Sequence, residues 1–527
     1  GPSSLPSSSP SFQFHCVNIM VLTWMPCCVG TPLAHLLERG CGLAWRSPGQ
    51  VSSSVCKYSV MNEQARSLKE CYELGKKLGH GSFGVVHVAQ GKECQRTCVV
   101  KIVDTNADDH FQGLDHEIKI HSVLDHPNVV KLYETFRDQA ELHIVMEMCH
   151  GGELAEHVED KEDPCSEQEA RHIFGQVVKA VRYLHCQGFA HRDIKLDNFT
   201  VKESGLGLSE CTIKLIDFGF TKPFTPGTKS LRTMIGTPVY MAPEIFSNRA
   251  YDERCDLWSC GILLFVLLSR RWPFRSENLY ELKELLCTPI TFPAKHWANR
   301  SQRVRLLISG ICRKKATDRL TALEILESDW LRAVEEDRSS GVNVLTADML
   351  RNTHEMEAMS RLQREGFLRI AYYSEDSRIA ALRDAFLQLD TDADGKVTRQ
   401  ELCQAFGASC ATPRDLPAHL FQGHEGDGSS TLGYTEFVAE VMDKTVSART
   451  CRAAFRSLDR DMNGSISVDD LQLALQQGRG DAIGRDFLSK LLAEFDTNHD
   501  GEIDFEEFSA MLNSASPRIL AAAHAGA

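Results

Sequence analysis

No segment of this chain is long and unbroken enough in apolar residues to suggest a membrane span. The nearest candidate, IMVLTWMPCCVGTPLAHLL at 19–37, is interrupted by Pro26, Pro32 and His35, and it barely reaches the roughly 20 residues a spanning helix needs. The opening GPSSL places Leu5 where a myristoylation signal wants Ser or Thr, so it is not expected to serve as one. Cysteine is plentiful at 19, yet the close pairs Cys94/Cys98 and Cys255/Cys260 lack the partner pair and spacing of a zinc site. Scattered thiols of this kind are expected to be reduced, mostly buried residues of a cytoplasmic protein. An excess of positive charge is also absent. The formal net charge is -14, and residues 381–520 hold 13 Lys and Arg against 24 Asp and Glu, a net of −11. Such a surface excludes nucleic acid as a partner and attracts cations.

A length of 527 residues exceeds what one core can organise, since single domains seldom pass ~250–300 residues. At least two modules are expected. Residues 1–70 are a different material, Ser/Pro-rich in SSLPSSSPS and SPGQVSSSV, and read as disordered. The chain opens on glycine, and Met61 is a candidate natural start. Beyond it, LGHGSFGVVHVA carries Gly79, Gly81 and Gly84. A dinucleotide fold uses the same glycine spacing between a strand and a helix. Here the β-branched run Val85, Val86, His87, Val88 favours a second strand, so the glycines are expected in a β-hairpin able to fold over phosphates. CVVKIV then puts Lys101 in an apolar strand, and LDHEIKIHSVL puts Glu117 on an amphipathic helix with Ile118, His121 and Leu124 at helical spacing.

Further motifs follow in order: FAHRDIKLDN, KLIDFGF, TPVYMAPE, DLWSCG with Asp256 and Trp258, and KKATDRLTA. With them, residues 72–331 resemble a protein kinase. The resemblance implies ATP and Mg²⁺ as cofactors. Lys101 and Glu117 would orient the α and β phosphates, beneath a loop formed by Leu78, Gly79, Gly81, Gly84 and Val86. Asp193 would accept the substrate hydroxyl's proton, Lys195 would steady the transferring phosphoryl group, and Asn198 and Asp217 would hold magnesium. Glu244 would pair with Arg319. Met146 would be the gatekeeper, Glu147 to Cys149 (with Met148) the adenine-binding hinge, and Glu153 a carboxylate near the ribose that also reads a basic residue three before the target. The lysine two after the base is of the Ser/Thr-specific type. Leu196 and Asp197 stand where Pro and Glu are commoner, at positions that carry no chemistry. The rival is a silent pseudokinase, and retention of Lys101, Asp193, Asn198 and Asp217 speaks against it.

The acidic quarter contains a repeat. DTDADGKVTRQE at 390–401, DRDMNGSISVDD at 459–470 and DTNHDGEIDFEE at 496–507 place oxygen ligands at positions 1, 3, 5, 7 and 12 with a glycine at 6, the pattern of an EF-hand calcium loop. The ligands are Asp390, Asp392, Asp394, Lys396 and Glu401; Asp459, Asp461, Asn463, Ser465 and Asp470; and Asp496, Asn498, Asp500, Glu502 and Glu507, with position 7 acting through its carbonyl. Loops one and four are expected to bind calcium. Loop three ends in the shorter Asp470 and is expected to bind more weakly, with more competition from magnesium. A fourth match, EGDGSSTLGYTE at 425–436, has Glu425, Ser429 and Ser430 at positions 1, 5 and 6, and is expected to stay empty while keeping its fold for pairing. The four starts are spaced by about 35 residues, the period of helix-loop-helix units.

A kinase, a joining segment and four EF-hands together resemble the calcium-dependent protein kinase family, over everything after about residue 70. The resemblance implies an α+β bilobal kinase fold followed by an all-α domain of two EF-hand pairs at 379–515, then a tail at 516–527. It further implies a calcium-activated, non-specific serine/threonine protein kinase acting on proteins. The junction at 332–378 would block the kinase until calcium is bound. Its stretch MEAMSRLQREGFLRIA sets Met356, Met359 and Phe367 among Arg361, Arg364 and Arg369, like a calmodulin target. A monomer with an internal contact between hands and junction is expected. Thr233 stands three before the GT of the substrate-binding loop, where this family often has an acid, so phosphorylation there would supply a missing charge for Arg192.

Overall fold

The computed structural model describes residues 60–62, 67–81, 84–105, 111–138, 140–247, 249–333, 347–374, 376–406, 416–417, 420, 431–476 and 484–514. The apolar segment at 19–37, the Ser/Pro-rich stretches and positions 425–430 of the second loop lie outside them. The described residues form two compact units, one of residues 149–333 and one in which residues up to 148 join those after 333. No helix among them is long and apolar enough to cross a membrane.

The second unit begins with a six-stranded sheet. Its strands are β1 (Val60–Asn62), β2 (Tyr72–Gly81), β3 (Gly84–Gly91), β4 (Thr97–Asp104), β5 (Leu132–Arg137) and β6 (Glu141–Glu147), in the order β1-β5-β6-β4-β3-β2. All neighbours are antiparallel except β1 with β5. The glycine segment is a hairpin, as the β-branched run requires, with Gly81 paired to Gly84 at its turn. Two helices accompany the sheet, α1 (Leu68–Cys71) and α2 (Phe111–Ser122). Helix α2 buries Leu114 and Ile118 against Leu132, Leu142 and Ile144. It ends at Ser122, so Leu124 lies just past the helix and fills the core from the following loop.

The first unit is mainly helical, with α3 (Leu154–Glu159), α4 (Glu167–Cys186), α5 (Arg254–Ser269), α6 (Leu279–Leu286), α7 (Ala294–Trp297), α8 (Gln302–Ile311), α9 (Ala322–Leu326) and α10 (Asp329–Arg332). Its short strands are β7 (Gly152–Glu153), β8 (Phe189–Ala190), β9 (Phe199–Val201), β10 (Ile213–Leu215) and β11 (Lys222–Pro223). Helix α4 starts on a reciprocal cap between Ser166 and Glu169, which satisfies two otherwise orphaned amides. WSCGILLFVLLS makes α5 apolar on every side, and such a helix belongs at a core centre; all its residues from Cys255 to Ser269 are buried. Around this centre the chain passes through residues 191–198, between β8 and β9.

After residue 346 come α11 (Ala347–Ala358) and α12 (Arg361–Tyr373), then the hands: α13 (Asp376–Leu389), β12 (Lys396–Thr398), α14 (Arg399–Phe406), β13 (Thr431–Gly433), α15 (Tyr434–Val441), α16 (Ala448–Leu458), β14 (Ser465–Ile466), α17 (Val468–Gln476), α18 (Arg485–Ala493), β15 (Ile503–Asp504) and α19 (Phe505–Asn513). β12 pairs with β13 and β14 with β15, so loop one joins loop two and loop three joins loop four. The junction residues Met356, Leu362, Phe367 and Ile370 share one apolar core with Phe386, Phe437, Phe455 and Phe508 of the hands. Arg369 is fully buried beside Glu365 on the next turn.

Candidate active site and calcium loops

The nucleotide-facing candidates from the sheet lie on one hairpin and its neighbours. Leu78, Gly79 and Gly81 are on β2, Gly84 and Val86 on β3. A Cβ at Gly79 would meet nothing within 4 Å, whereas at Gly84 it would fall 2.1 Å from the Ile102 carbonyl oxygen. The last glycine therefore serves the close approach of the hairpin turn to the neighbouring strand β4. Lys101 on β4 and Glu117 on α2 meet at 2.9 Å, each side chain 9% exposed. Removing one partner from so buried a pair strands the other charge. Met146 packs partly buried on the Ile118 cluster. Glu147 is tied by its Oε2 to the Lys131 amide at 3.1 Å. Cys149, half-buried, begins the other unit.

Within residues 149–333 the catalytic loop is a closed polar network. Asp193 Oδ1 accepts from the Thr237 amide at 2.9 Å and its hydroxyl at 2.8 Å, and Asp193 Oδ2 lies 3.1 Å from Lys195 Nζ. Asn198 Nδ2 donates to the Asp193 carbonyl at 2.7 Å and to its carboxylate at 3.1 Å. Although burial opposes it, the neighbouring Asp193 carboxylate raises the Lys195 ammonium above its usual range. Asp217 Oδ1 receives the Gly219 amide at 3.0 Å, and its carbonyl is 2.6 Å from His191 Nε2.

The backbone of this loop is held from below by Asp256 of α5, which accepts from the amides of His191 at 2.8 Å and Arg192 at 2.7 Å. Arg192 adopts a left-handed φ of 69°, an uncommon geometry for a side chain of that size. Asp256 is buried, yet the His185 hydrogen bond and charge together with the Arg192 amide hold its carboxyl below the ordinary value. Glu244 and Arg319 form a bidentate pair with both contacts at 2.6 Å, and the Arg319 side chain is fully buried. Sequence reasoning did not single out Thr237 or give Asp256 a task. Only their place in the GT and DLW motifs marks them, because hydrogen bonds to a distant loop leave no periodic trace.

Glu153 stands at the N-cap position of α3 without a side-chain cap bond and is exposed. Burial of its inner side, then the nearby carboxylates of Glu156 and Asp197, raise its carboxyl.

In loops one, three and four the same geometry recurs. Position 1 accepts amides through both oxygens: Asp390 from Asp394 and Gly395, Asp459 from Asn463 and Gly464, and Asp496 from His499 and Gly501. Positions 4 and 6 take left-handed φ, 53° and 82° at Ala393 and Gly395, 57° and 99° at Met462 and Gly464, 62° and 90° at His499 and Gly501. Position 12 folds back over each loop. Glu401 accepts from Thr391 and Thr398, Asp470 from Arg460 and Ser467, and Glu507 from Thr497 and Asp504. Carboxylate oxygens of Asp390, Asp392 and Asp394, and of Asp459, Asp461 and Asp470, all approach within 4.8 Å of one another. Such all-oxygen sets fit a hard divalent ion. Burial first, then Asp470 and Asp461, push the Asp459 carboxyl up to about 6. Ser465 and Glu502, the two position-7 residues, meet across β14 and β15. In loop four Asn498 and Asp500 are exposed toward the same turn.

Known proteins align with both halves. Residues 72–331 match the protein kinase domain family, residues 381–410 an EF-hand domain and residues 449–512 an EF-hand domain pair. The chain is similar to "Calcium-dependent protein kinase 3" of Plasmodium berghei (strain Anka), 32% identical over 454 residues, which is 85% of this chain and 81% of that protein. It is 30% identical over 467 residues to "Calcium-dependent protein kinase 5" of Plasmodium falciparum, covering 88% of this chain and 81% of the relative. Against "Calcium-dependent protein kinase 19" of Arabidopsis thaliana it is 29% identical over 472 residues, or 87% and 83%.

Proposed function

Because the chain belongs to the calcium-dependent protein kinase family, we propose that it moves the γ-phosphoryl group of ATP to Ser or Thr hydroxyls of proteins when calcium fills its hands. The observation that carries this is the network around Asp193, where a carboxylate aimed by Thr237 and Asn198 stands beside the Lys195 cation. Phosphoryl transfer asks the protein chiefly for positioning and charge. Asp193 receives the hydroxyl proton, Lys195 neutralises charge on the transferring group, and Lys101, kept extended by Glu117, holds the α and β phosphates. Asn198 and Asp217 would hold magnesium through their side-chain oxygens, and the ion would supply charge to screen the phosphates. The Glu153 carboxylate, with Glu156 beside it, favours substrates with a basic residue upstream.

Calcium control rests on the junction. Met356, Leu362, Phe367 and Ile370 are consumed in the core of the hands, so a junction seated there cannot offer the same residues to the kinase. A full switch from 1:99 to 99:1 needs about 10⁴-fold preferential binding, and three working loops supply it at only ~20-fold each. A damaged second loop is therefore tolerable. The protein works as a monomer. Its described cysteines are free thiols, most of them buried, which supports a reducing, cytoplasmic setting.

The test is phosphate transfer from ATP to an Arg-containing peptide in micromolar free calcium and in EGTA, with Asp193→Asn as blank. Strong calcium stimulation is expected. Equal rates in both buffers would eliminate the switch, and no transfer in either would leave a silent calcium-binding adaptor.

A second control is assigned to Thr233. Its side chain is exposed, its carbonyl takes a 2.7 Å hydrogen bond from Tyr251, and Tyr251 also touches Arg192, whose Nη1 is buried without a partner among the described residues. A phosphate on Thr233 would supply that partner. Full activity of Thr233→Ala would dispose of this control.

A further inference from the structure

Each hand needs a side chain at loop position 9 to receive the first free amides of its exit helix. In loop one Thr398 Oγ1 accepts from Glu401 at 3.2 Å, in loop three Ser467 Oγ accepts from Asp470 at 3.2 Å, and in loop four Asp504 Oδ1 accepts from Glu507 at 2.8 Å. These are ordinary helix N-caps. In loop two the same position is Gly433, which has nothing to offer. Its helix α15 is capped all the same, by a residue about three hundred positions earlier in the chain. Asp125 Oδ2 accepts from the Thr435 amide at 2.8 Å and Asp125 Oδ1 from the Thr435 hydroxyl at 2.9 Å, with Asp125 6% and Thr435 1% exposed.

Asp125 sits in the loop that leaves α2, the helix carrying Glu117. That loop is bound back to the helix by His121, whose Nε2 lies 2.7 Å from the Val130 carbonyl. The contact with the hands continues along the chain from there. Lys131 Nζ donates to the Tyr372 carbonyl at 2.9 Å, and the Tyr372 hydroxyl donates to the Leu132 carbonyl at 2.6 Å. Tyr133 stacks on Tyr373 at 5.5 Å between ring centroids. Arg456 of α16 reaches Glu134 at 3.4 Å. Burial raises the Asp125 carboxyl, and the Thr435 hydrogen bonds and Lys131 offset only part of that. The carboxylate therefore depends on the hand as much as the hand depends on it.

From this we infer that the second hand is a docking hand: with its own cap lost, α15 takes Asp125 of the kinase sheet region as cap, and that contact makes Asp125 a positioning residue for the Lys101–Glu117 pair. The inference rests on the calcium-activated kinase reading above and adds a gain-of-order step to the release of the junction. Seating α15 on Asp125 anchors the loop after α2, and so fixes the helix from which Glu117 reaches Lys101. The anchor is needed only when the hands are in this arrangement.

The experiment separates this coupling from simple helix capping. Gly433 has an extended φ of -71°, and the nearest atom to an added Cβ is 3.6 Å away, so Gly433→Ser gives hand two its own cap without strain. In full-length protein, Asp125→Ala is expected to lower the calcium-saturated rate about tenfold and to raise the KM for ATP. Calcium binding by calorimetry should stay within about twofold of the parent. Adding Gly433→Ser to Asp125→Ala should recover the melting temperature but not the rate. If Asp125→Ala fails to fold, Asp125→Asn, which keeps one acceptor oxygen, is expected to show the same split at smaller size. An unchanged saturated rate in a folded Asp125 variant would overturn the inference, as would recovery of both rate and melting temperature by Gly433→Ser. Failure of the parent reading shows separately, as a wild-type protein that is inactive or indifferent to calcium in the same assay.

Discussion

Asp193 and Asp459 are both 5% exposed, yet their surroundings are opposite. Asp193 has its own cation in Lys195 at 3.1 Å and side-chain donors in Thr237 and Asn198. Among the described residues Asp459 accepts from the backbone amides of Asn463 and Gly464, and the charges beside it, Asp470 and Asp461, share its sign. A catalytic carboxylate must be charged and aimed before substrate arrives, so the fold balances it in advance. A sensing carboxylate must leave part of its charge unbalanced, because that imbalance is what a divalent ion relieves. The catalytic loop is complete by itself; the calcium loops are complete only with an ion.

The sharpest way to break the comparison is Asp193→Asn, which removes the proton acceptor while leaving its size. A loss of about 10³-fold in peptide phosphorylation is expected at any calcium level, with calcium binding unaffected by calorimetry. Next is Glu401→Gln, which leaves the first pair of hands with no competent loop. The ratio of active to inactive enzyme at saturating calcium should fall by about 20-fold, and Glu507→Gln should act similarly. Glu436→Gln in loop two should change it little, since that loop carries Glu425, Ser429 and Ser430 at positions 1, 5 and 6. Equal shifts at Glu401 and Glu436 would erase the distinction between loops.

A smaller effect is expected at the junction. A Cβ on Gly366 would come 2.8 Å from Leu512 Cδ2 and 3.5 Å from Met511 Cε, so α12 lies against α19 at a distance that only glycine permits without displacement. Gly366→Leu should cost about 1–3 kcal/mol of packing and loosen the junction from the hands. Faster tryptic cleavage near Arg361 and Arg364, with lower calcium-saturated activity, is the expected readout. The mildest change is Asp470→Glu. One more methylene allows bidentate ligation in loop three, and calorimetry in the presence of magnesium should show calcium affinity raised by several-fold there.

Much of this was readable in residue order because the chemistry is local. A calcium loop is twelve consecutive residues, and HRDIKLDN carries the proposed base, lysine and metal ligand within a single short loop. The glycine hairpin was legible for the same reason, through the β-branched residues after Gly84. What stayed hidden depends on partners far away in sequence. Asp256 supports the catalytic loop from 64 and 65 residues away, and nothing in DLWSCG states which amides it will meet. Leu124, placed on the helix by its spacing, lies beyond the end of α2. Arg369, read in residue order as one of the basic residues of a calmodulin-target-like stretch, is buried beside Glu365, because α12 is packed into the core of the hands.

Residue order alone determined that this chain carries a phosphoryl-transfer site and a set of oxygen-lined ion loops, because both are short strings whose function follows from the types and spacing of their members. Tertiary structure alone decided that Gly433 is answered by Asp125. A missing cap is visible as a glycine, but the residue that replaces it is chosen by how two distant segments pack, and burial of a carboxylate against a helix end is stable only where the fold happens to bring them together.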